Sequence, residues 1–223
     1  MLTEQGILRT EVVFNNERKT ERYLLSKVWD ESKPIVSLIM TNPSSANAVE
    51  IDMTTHYIIS NLYRLGDVGG VDILNMTSLI TTKIDTKSKL ILSDENIDYI
   101  LKSAEKSDKV ILAWGKIGEN NKKIRLLQLK LLEKLEPFQD KLHMIASDES
   151  GSDSGYHPLA PQIRFAWYLI PFLLPEYLQE KSEDESSNQT PNKPEGEQEE
   201  DTAENESAKP SKAKQSRKNT QTA

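Results

Sequence analysis

The chain has 223 residues, a formal net charge of −7, 36% hydrophobic residues and no cysteine. Such a composition places it with soluble proteins holding one ordinary domain plus extra sequence, and the lack of thiols excludes disulfides and cysteine-ligated metals. Residues 1–10 carry no charged segment followed by an apolar stretch, so no secretory leader is expected. The longest apolar run, 165–174, is interrupted by Pro171 and falls short of the about 20 residues that a membrane span needs. A cytoplasmic protein with no membrane association is the expectation.

In chain order, segments 7–14 and 23–29 read as two strands joined through Asn15-Asn16-Glu17-Arg18, an N-terminal β-hairpin. The pattern then changes. Runs 35–40, 71–74, 110–113 and 142–146 have the length of buried strands, and the segments between them are long enough for crossover helices. Helical spacing recurs there: Ile58, Leu62 and Leu65; then Ile97, Ile100, Leu101 and Ala104 behind a Ser93 N-cap with Asp94 and Glu95 in the first turn; then Ile124, Leu127, Leu131 and Leu135. Pro161 suits the first turn of a terminal helix carrying Phe165, Tyr168 and Leu169. The predicted fold is α/β, an open, mostly parallel four-stranded sheet with helices on both faces, in a domain spanning 1–179.

From 180 to 223 the chain has no Val, Ile, Leu, Met or aromatic residue, and eleven acidic and seven basic residues give it −4 of the total charge. Such a segment cannot bury enough surface to offset ordering entropy, so a disordered charged tail is expected, acidic over 183–206 and basic over 209–218. A solvated polyampholyte suits it better than a nucleic-acid-binding tip.

Parallel sheets place chemistry beyond the carboxyl ends of their strands. There the chain carries Asn42-Pro43-Ser44-Ser45 after the first central run, Asn75 after the second, Trp114-Gly115 after the third and Tyr156-His157-Pro158 after the fourth. An Asn at a strand end also serves as a turn residue, and Trp114 alone reads as core. His157 differs, because the polar run 147–155 before it creates no packing demand for imidazole. His143, inside a strand, reads as a satisfied structural residue. His56, four residues after Asp52, would form a carboxylate–imidazole pair on one helical face, a spacing too poor in ligands for a metal site. No metal and no cofactor is expected. Lys116, Lys122, Lys123 and Arg125 form either a local basic lip or one solvated helix face.

Over about 22–165, Arg22-Tyr23-Leu24-Leu25-Ser26-Lys27-Val28-Trp29, Asn42-Pro43-Ser44-Ser45-Ala46, Ala113-Trp114-Gly115 and His157-Pro158-Leu159 closely resemble the bacterial and phage domain-of-unknown-function family numbered 1643. More remotely, the four punctuations in the same order are similar to the uracil-DNA glycosylase superfamily. That superfamily has an Asn-Pro or Asp-Pro loop after its first strand, an Asn ending the second, a Trp-Gly after the third and a His-Pro loop after the fourth. The second resemblance implies that Asn42 positions water and that Asn75 reads the edge of an extruded base. His157 would stabilise negative charge on the departing base, with Pro43, Ser44, Trp114 and Gly115 completing the substrate pocket. N-glycosidic cleavage makes a sugar cation and a base anion, so an oriented water and a donor aimed at the base lower the barrier without a covalent nucleophile. An Asn amide cannot take a proton as a carboxylate does, so Asn42 acts through orientation alone.

Three functions fit these readings. The first is a glycosylase-like protein that recognises a nucleobase and cleaves the bond of an ordinary or modified base in DNA or a nucleotide. The second is a nucleobase- or nucleic-acid-binding module with weak or no turnover. The third is an interaction protein working through its tail, whose protein partners the sequence does not identify.

Overall fold

The computed structural model describes residues 1–3, 5–81 and 90–173, all within one compact unit. The predicted tail, 180–223, lies outside the described residues. Seven strands form one sheet: β1 (Arg9–Phe14), β2 (Arg22–Val28), β3 (Ile35–Met40), β4 (Gly70–Asn75), β5 (Val110–Leu112), β6 (Leu142–Ala146) and β7 (Tyr168–Pro171), in the order β1-β2-β4-β3-β5-β6-β7. The three helices are α1 (Met53–Leu65), α2 (Asp94–Lys106) and α3 (Lys122–Leu135).

The four predicted central strands run parallel to one another as β4-β3-β5-β6. The expectation of a four-stranded, mostly parallel sheet is nevertheless corrected to a seven-stranded mixed one. The hairpin joins the sheet through β2, antiparallel to β4, and β7 adds antiparallel to β6. The expected terminal helix is likewise absent. Pro161–Ile163 makes a single 3-10 turn, and the chain then straightens to cover the open edge of β6. Tyr-Leu-Ile suits an extended ladder as well as a helix, and Leu169 packs onto the core of one sheet face. Pro171, which has no N–H to donate, sits where an edge strand tolerates it.

Alternation along the strands divides the core in two. Val36, Leu38 and Met40 of β3 point with Val71, Ile73, Ile111 and Ile145 to the face covered by Ile58 and Leu62 of α1 and by Trp167. Ile39, Leu74, Val110, Leu112 and Leu142 point to the other face, covered by Ile100 and Ala104 of α2 and by Ile124, Leu131, Leu132 and Leu135 of α3. Each helix start has a local cause. Asp52 accepts the Thr55 N–H at 2.7 Å to cap α1, and Asn121 accepts the Ile124 N–H at 3.2 Å to cap α3. Ser93 precedes α2 without a side-chain capping bond, but Asp94 and Glu95 place negative charge in its first turn.

Chain direction reverses at β3. The path leaves β3 through α1 to β4 on one side, then returns through α2 to β5 on the other side and continues through α3 to β6. The loops following β3 and β5 therefore diverge and leave a crevice at their carboxyl ends, the switch point where open α/β sheets bind ligands.

Beneath α2, the buried Ser37 hydroxyl lies 2.6 Å from that of Ser103 and 2.7 Å from that of Ser107, and Ser103 donates to Asp72 at 2.8 Å. This chain of hydroxyls ties α2 to β3 and β4. Ser37→Ala leaves two buried hydroxyls short of a partner and is expected to lower stability by about 1–3 kcal/mol. In urea unfolding, the Ser37→Ala/Ser107→Ala pair should cost less than the sum of the single changes; strict additivity would rule out a shared network.

Candidate functional site

The first loop at the switch point begins with Thr41-Asn42. Its backbone extends the β3–β4 register: Met76 N–H donates to Met40 O at 2.7 Å and Thr77 N–H to Thr41 O at 3.0 Å. The Asn42 side chain donates through Nδ2 to Thr81 O at 2.6 Å, which leaves Oδ1 as the group able to accept from a ligand or water. Pro43 is buried and its carbonyl accepts from Thr81 N–H at 3.2 Å.

Two buried cations hold the rest of this loop. Arg22, 1% exposed, donates through Nη1 to Ala46 O at 2.6 Å and reaches Ser44 O at 3.5 Å. Lys27, also 1% exposed, donates to Ala48 O at 3.3 Å and to Thr10 Oγ1 at 3.0 Å. The direction of Arg22 comes from an irregularity in the hairpin. Val13 pairs with Leu24 but Phe14 with Arg22, so Tyr23 is the extra residue. Tyr23 then stacks on Tyr99 of α2 with ring centroids 5.3 Å apart, while Arg22 turns to the opposite face, toward Ala46. Burial pushes the Arg22 guanidinium down to about 10, against the pull of Asp52, and burial together with the charge of Arg22 lowers Lys27.

Asp52 is thus the counter-charge of Arg22 as well as the cap of α1. Burial opposes its ionisation, yet hydrogen bonds from Ser44 and Thr55 and the charge of Arg22 outweigh burial and hold its carboxyl below 3.8. The side chain is spent on the cap, so the Asp52–His56 pairing expected from spacing gives way to this role, and His56 stands exposed beside Tyr57.

After β5, Gly115 takes φ = +70° and a Cβ there would come 2.9 Å from His157 Cβ, so the Trp-Gly and His-Pro loops touch at a point that admits only glycine. The 145–157 segment is folded back by Gly155 N–H and Tyr156 N–H, both donating to Ile145 O. Leu159 N–H donates to His157 Nδ1 at 3.2 Å, which fixes the neutral ring with its proton on Nε2. Burial lowers the His157 pKa from 6.5, opposed by the charge of Asp52, so the imidazole is neutral at pH 7 and offers an N–H donor.

Thr41, Asn42, Trp114, Gly115, Lys116, Ile117 and His157 line one cavity of about 270 Å³. Among the sequence-derived candidates, Asn42, Trp114, Gly115 and His157 meet there; Pro43, Ser44 and Asn75 are not among its lining residues. Trp114 is 8% exposed and belongs at the same time to the core beneath α3. Asn75 ends β4 in register with Met40, 1% exposed, and its backbone carbonyl is held by Asn96 Nδ2 at 2.8 Å. Both polar atoms of its side chain are buried without a hydrogen-bond partner among the described residues, an arrangement that costs about 1–3 kcal/mol per unpaired group. His143 makes a 2.8 Å contact with Lys141 O from its place in β6. Lys116 lies 3.4 Å from Asp153 and over the Tyr156 ring, which offsets part of the expected basic lip.

Sequence reasoning overlooked Arg22, Lys27 and Asp52 as makers of this site. The available signal was two cations inside an otherwise apolar strand, Arg-Tyr-Leu-Leu-Ser-Lys-Val. Because the folded pKa of Asp52 is depressed, its contribution to stability is present above 3.8 and is lost as pH falls through the lower folded value. Asp52→Asn keeps a capping side chain and removes the charge, so its urea midpoint should vary less than wild type below pH 4; parallel curves would show that the carboxylate carries no such role.

The comparisons bear on the whole of this arrangement. No curated protein and no solved structure matches the chain. No described helix is long and apolar enough to cross a membrane. Residues 22–159, more than half of the chain, match a family profile that begins at Arg22 and ends two residues beyond His157, and so encloses every candidate residue while leaving out β1 and β7. The chain belongs to the family described as protein of unknown function (DUF1643).

Proposed function

We propose that the cavity between the β3 and β5 loops binds a nucleobase, and that on a nucleoside or DNA it works as a glycosylase-like site related remotely to the uracil-DNA glycosylase superfamily. The observation that carries this reading is the meeting of Asn42, Trp114 and His157 around one cavity at the switch point. Trp114 supplies an aromatic wall for a planar ring. His157, neutral with its proton on Nε2, donates to a base oxygen on which negative charge develops as the glycosidic bond breaks. Asn42 Oδ1 accepts from a water that attacks the sugar. Asn75, whose amide is buried without a partner among the described residues at the end of the neighbouring strand, is the donor and acceptor that this reading assigns to the base edge.

A second reading, a base-binding module with little turnover, is favoured by the state of Asn42. The site offers an amide there, with its nitrogen already committed to Thr81, and an amide takes up no proton.

The two readings separate experimentally. With a library of base-modified oligonucleotides and nucleosides, His157→Ala should reduce base release by about 10²-fold, in line with the loss of one charge-stabilising donor. Full release by that variant would remove His157 from the mechanism. Equilibrium binding of free nucleobases should weaken about tenfold in Asn75→Ala. Binding without release in the wild type supports the module, and a protein that ignores every nucleobase refutes both.

A further inference from the structure

A second cavity, of about 180 Å³, is lined by residues of β5, β6 and α3 and shares Trp114 with the first. Trp114, Gly115 and Lys116 border both cavities, but the second is lined in addition by the apolar Leu112, Met144 and Phe172 and by the polar Glu119, Ser154 and Gln128. Gln128 occupies the inward stripe of α3, four residues after Ile124 and among Leu129, Leu131 and Leu132. It is 1% exposed, and neither Nε2 nor Oε1 has a hydrogen-bond partner among the described residues. Burying a complete amide in a helix stripe that is otherwise leucine and isoleucine is unfavourable unless something pairs with it.

The local backbone is adapted to that amide. Gly118, in the 3-10 turn Gly115–Asn120, lies directly against it: a Cβ at this position would come within 2.0 Å of Gln128 Oε1. Glycine here makes room for the carboxamide itself. Phe172, Met144 and Leu112 supply apolar walls, and Lys116 and Glu119 stand exposed at the rim.

We infer that this cavity is a binding site for a small planar compound with a lactam or carboxamide edge, whose adjacent N–H and C=O pair with Oε1 and Nε2 of Gln128 while its ring lies among Leu112, Trp114, Met144 and Phe172. An amide presents one donor and one acceptor side by side, so a compound with the reciprocal pair satisfies both at once, and one whose N–H is blocked leaves Oε1 unpaired. The inference is separate from the nucleobase reading, because it uses none of Asn42, Asn75 or His157.

The test uses the full chain and 2-pyridone as the probe, with 1-methyl-2-pyridone as the blocked control. Nitrogen–proton NMR reads the side-chain amide of Gln128 directly, assigned by its absence from the spectrum of Gln128→Leu. Titration with 2-pyridone should shift that amide pair, the methylated compound should bind at least about tenfold more weakly, and Gln128→Leu should lose affinity for 2-pyridone by a similar factor. An amide signal indifferent to 2-pyridone, equal affinity for the two compounds, or unchanged affinity in Gln128→Leu would each overturn the assignment. Comparison of the two compounds on the wild-type chain needs no variant, so the result stands even if Gln128→Leu fails to fold.

Discussion

The buried guanidinium of Arg22 is the interaction on which the arrangement of the site depends. A charge placed inside a protein is costly unless its donors are occupied and a counter-charge lies close. Arg22 lies in the field of Asp52 and occupies Nη1 with the carbonyls of Ser44 and Ala46, whereas Nε is buried without a partner among the described residues. The loop after β3 is thus drawn onto β2, a strand that is not its neighbour in the sheet. Lys27, near the other end of β2, fastens Ala48 in the same manner. Backbone pairing holds the loop at Thr41 and Pro43 and side-chain cations hold it at Ser44, Ala46 and Ala48, which leaves Thr41 and Asn42 lining the crevice.

Electrostatics couple the parts that this clasp brings together. Asp52 caps α1, balances Arg22 and raises the affinity of His157 for a proton against the effect of burial. One carboxylate therefore joins the start of a helix, the anchoring of a loop and the protonation of an imidazole, although the three belong to different segments of chain. The hairpin irregularity at Tyr23 is part of the same design. Without the extra residue, Arg22 would face α2 and the loop would lose its anchor.

The central fold was legible from sequence because its signals are local. Runs 35–40 and 142–146 coincide with β3 and β6, and Ser93 does precede α2. An apolar run bounded by polar residues declares a buried strand without reference to its partners. The hairpin was legible for the same reason, whereas the edge strand β7 was not, because its pairing is not local. Phe165, Tyr168 and Leu169 have helical spacing, and only the unpaired edge of β6 makes an extended chain preferable there. At the site, the strand-end residues were visible as punctuation. What Arg22 and Lys27 hold was not, since the acceptors are backbone carbonyls, which have no sequence signature. Gln128 lay between these cases: a polar residue on an apolar stripe could be seen, but its missing partner only emerges from three dimensions.

The contact of Gly115 with His157 carries a consequence for how such a chain can vary. The atoms that a side chain at 115 would meet are the β-carbon and backbone of 157, so the restriction comes from the paths of the two loops, and neither loop can be redesigned alone. A side chain at 115 demands that the 145–157 segment retreat, carrying the imidazole with it. Exchanging the imidazole for another side chain therefore leaves position 115 restricted to glycine, because every residue but glycine brings the same β-carbon to 157 and the positive φ at 115 persists; the glycine is tied to the path of the 145–157 segment and not to the histidine.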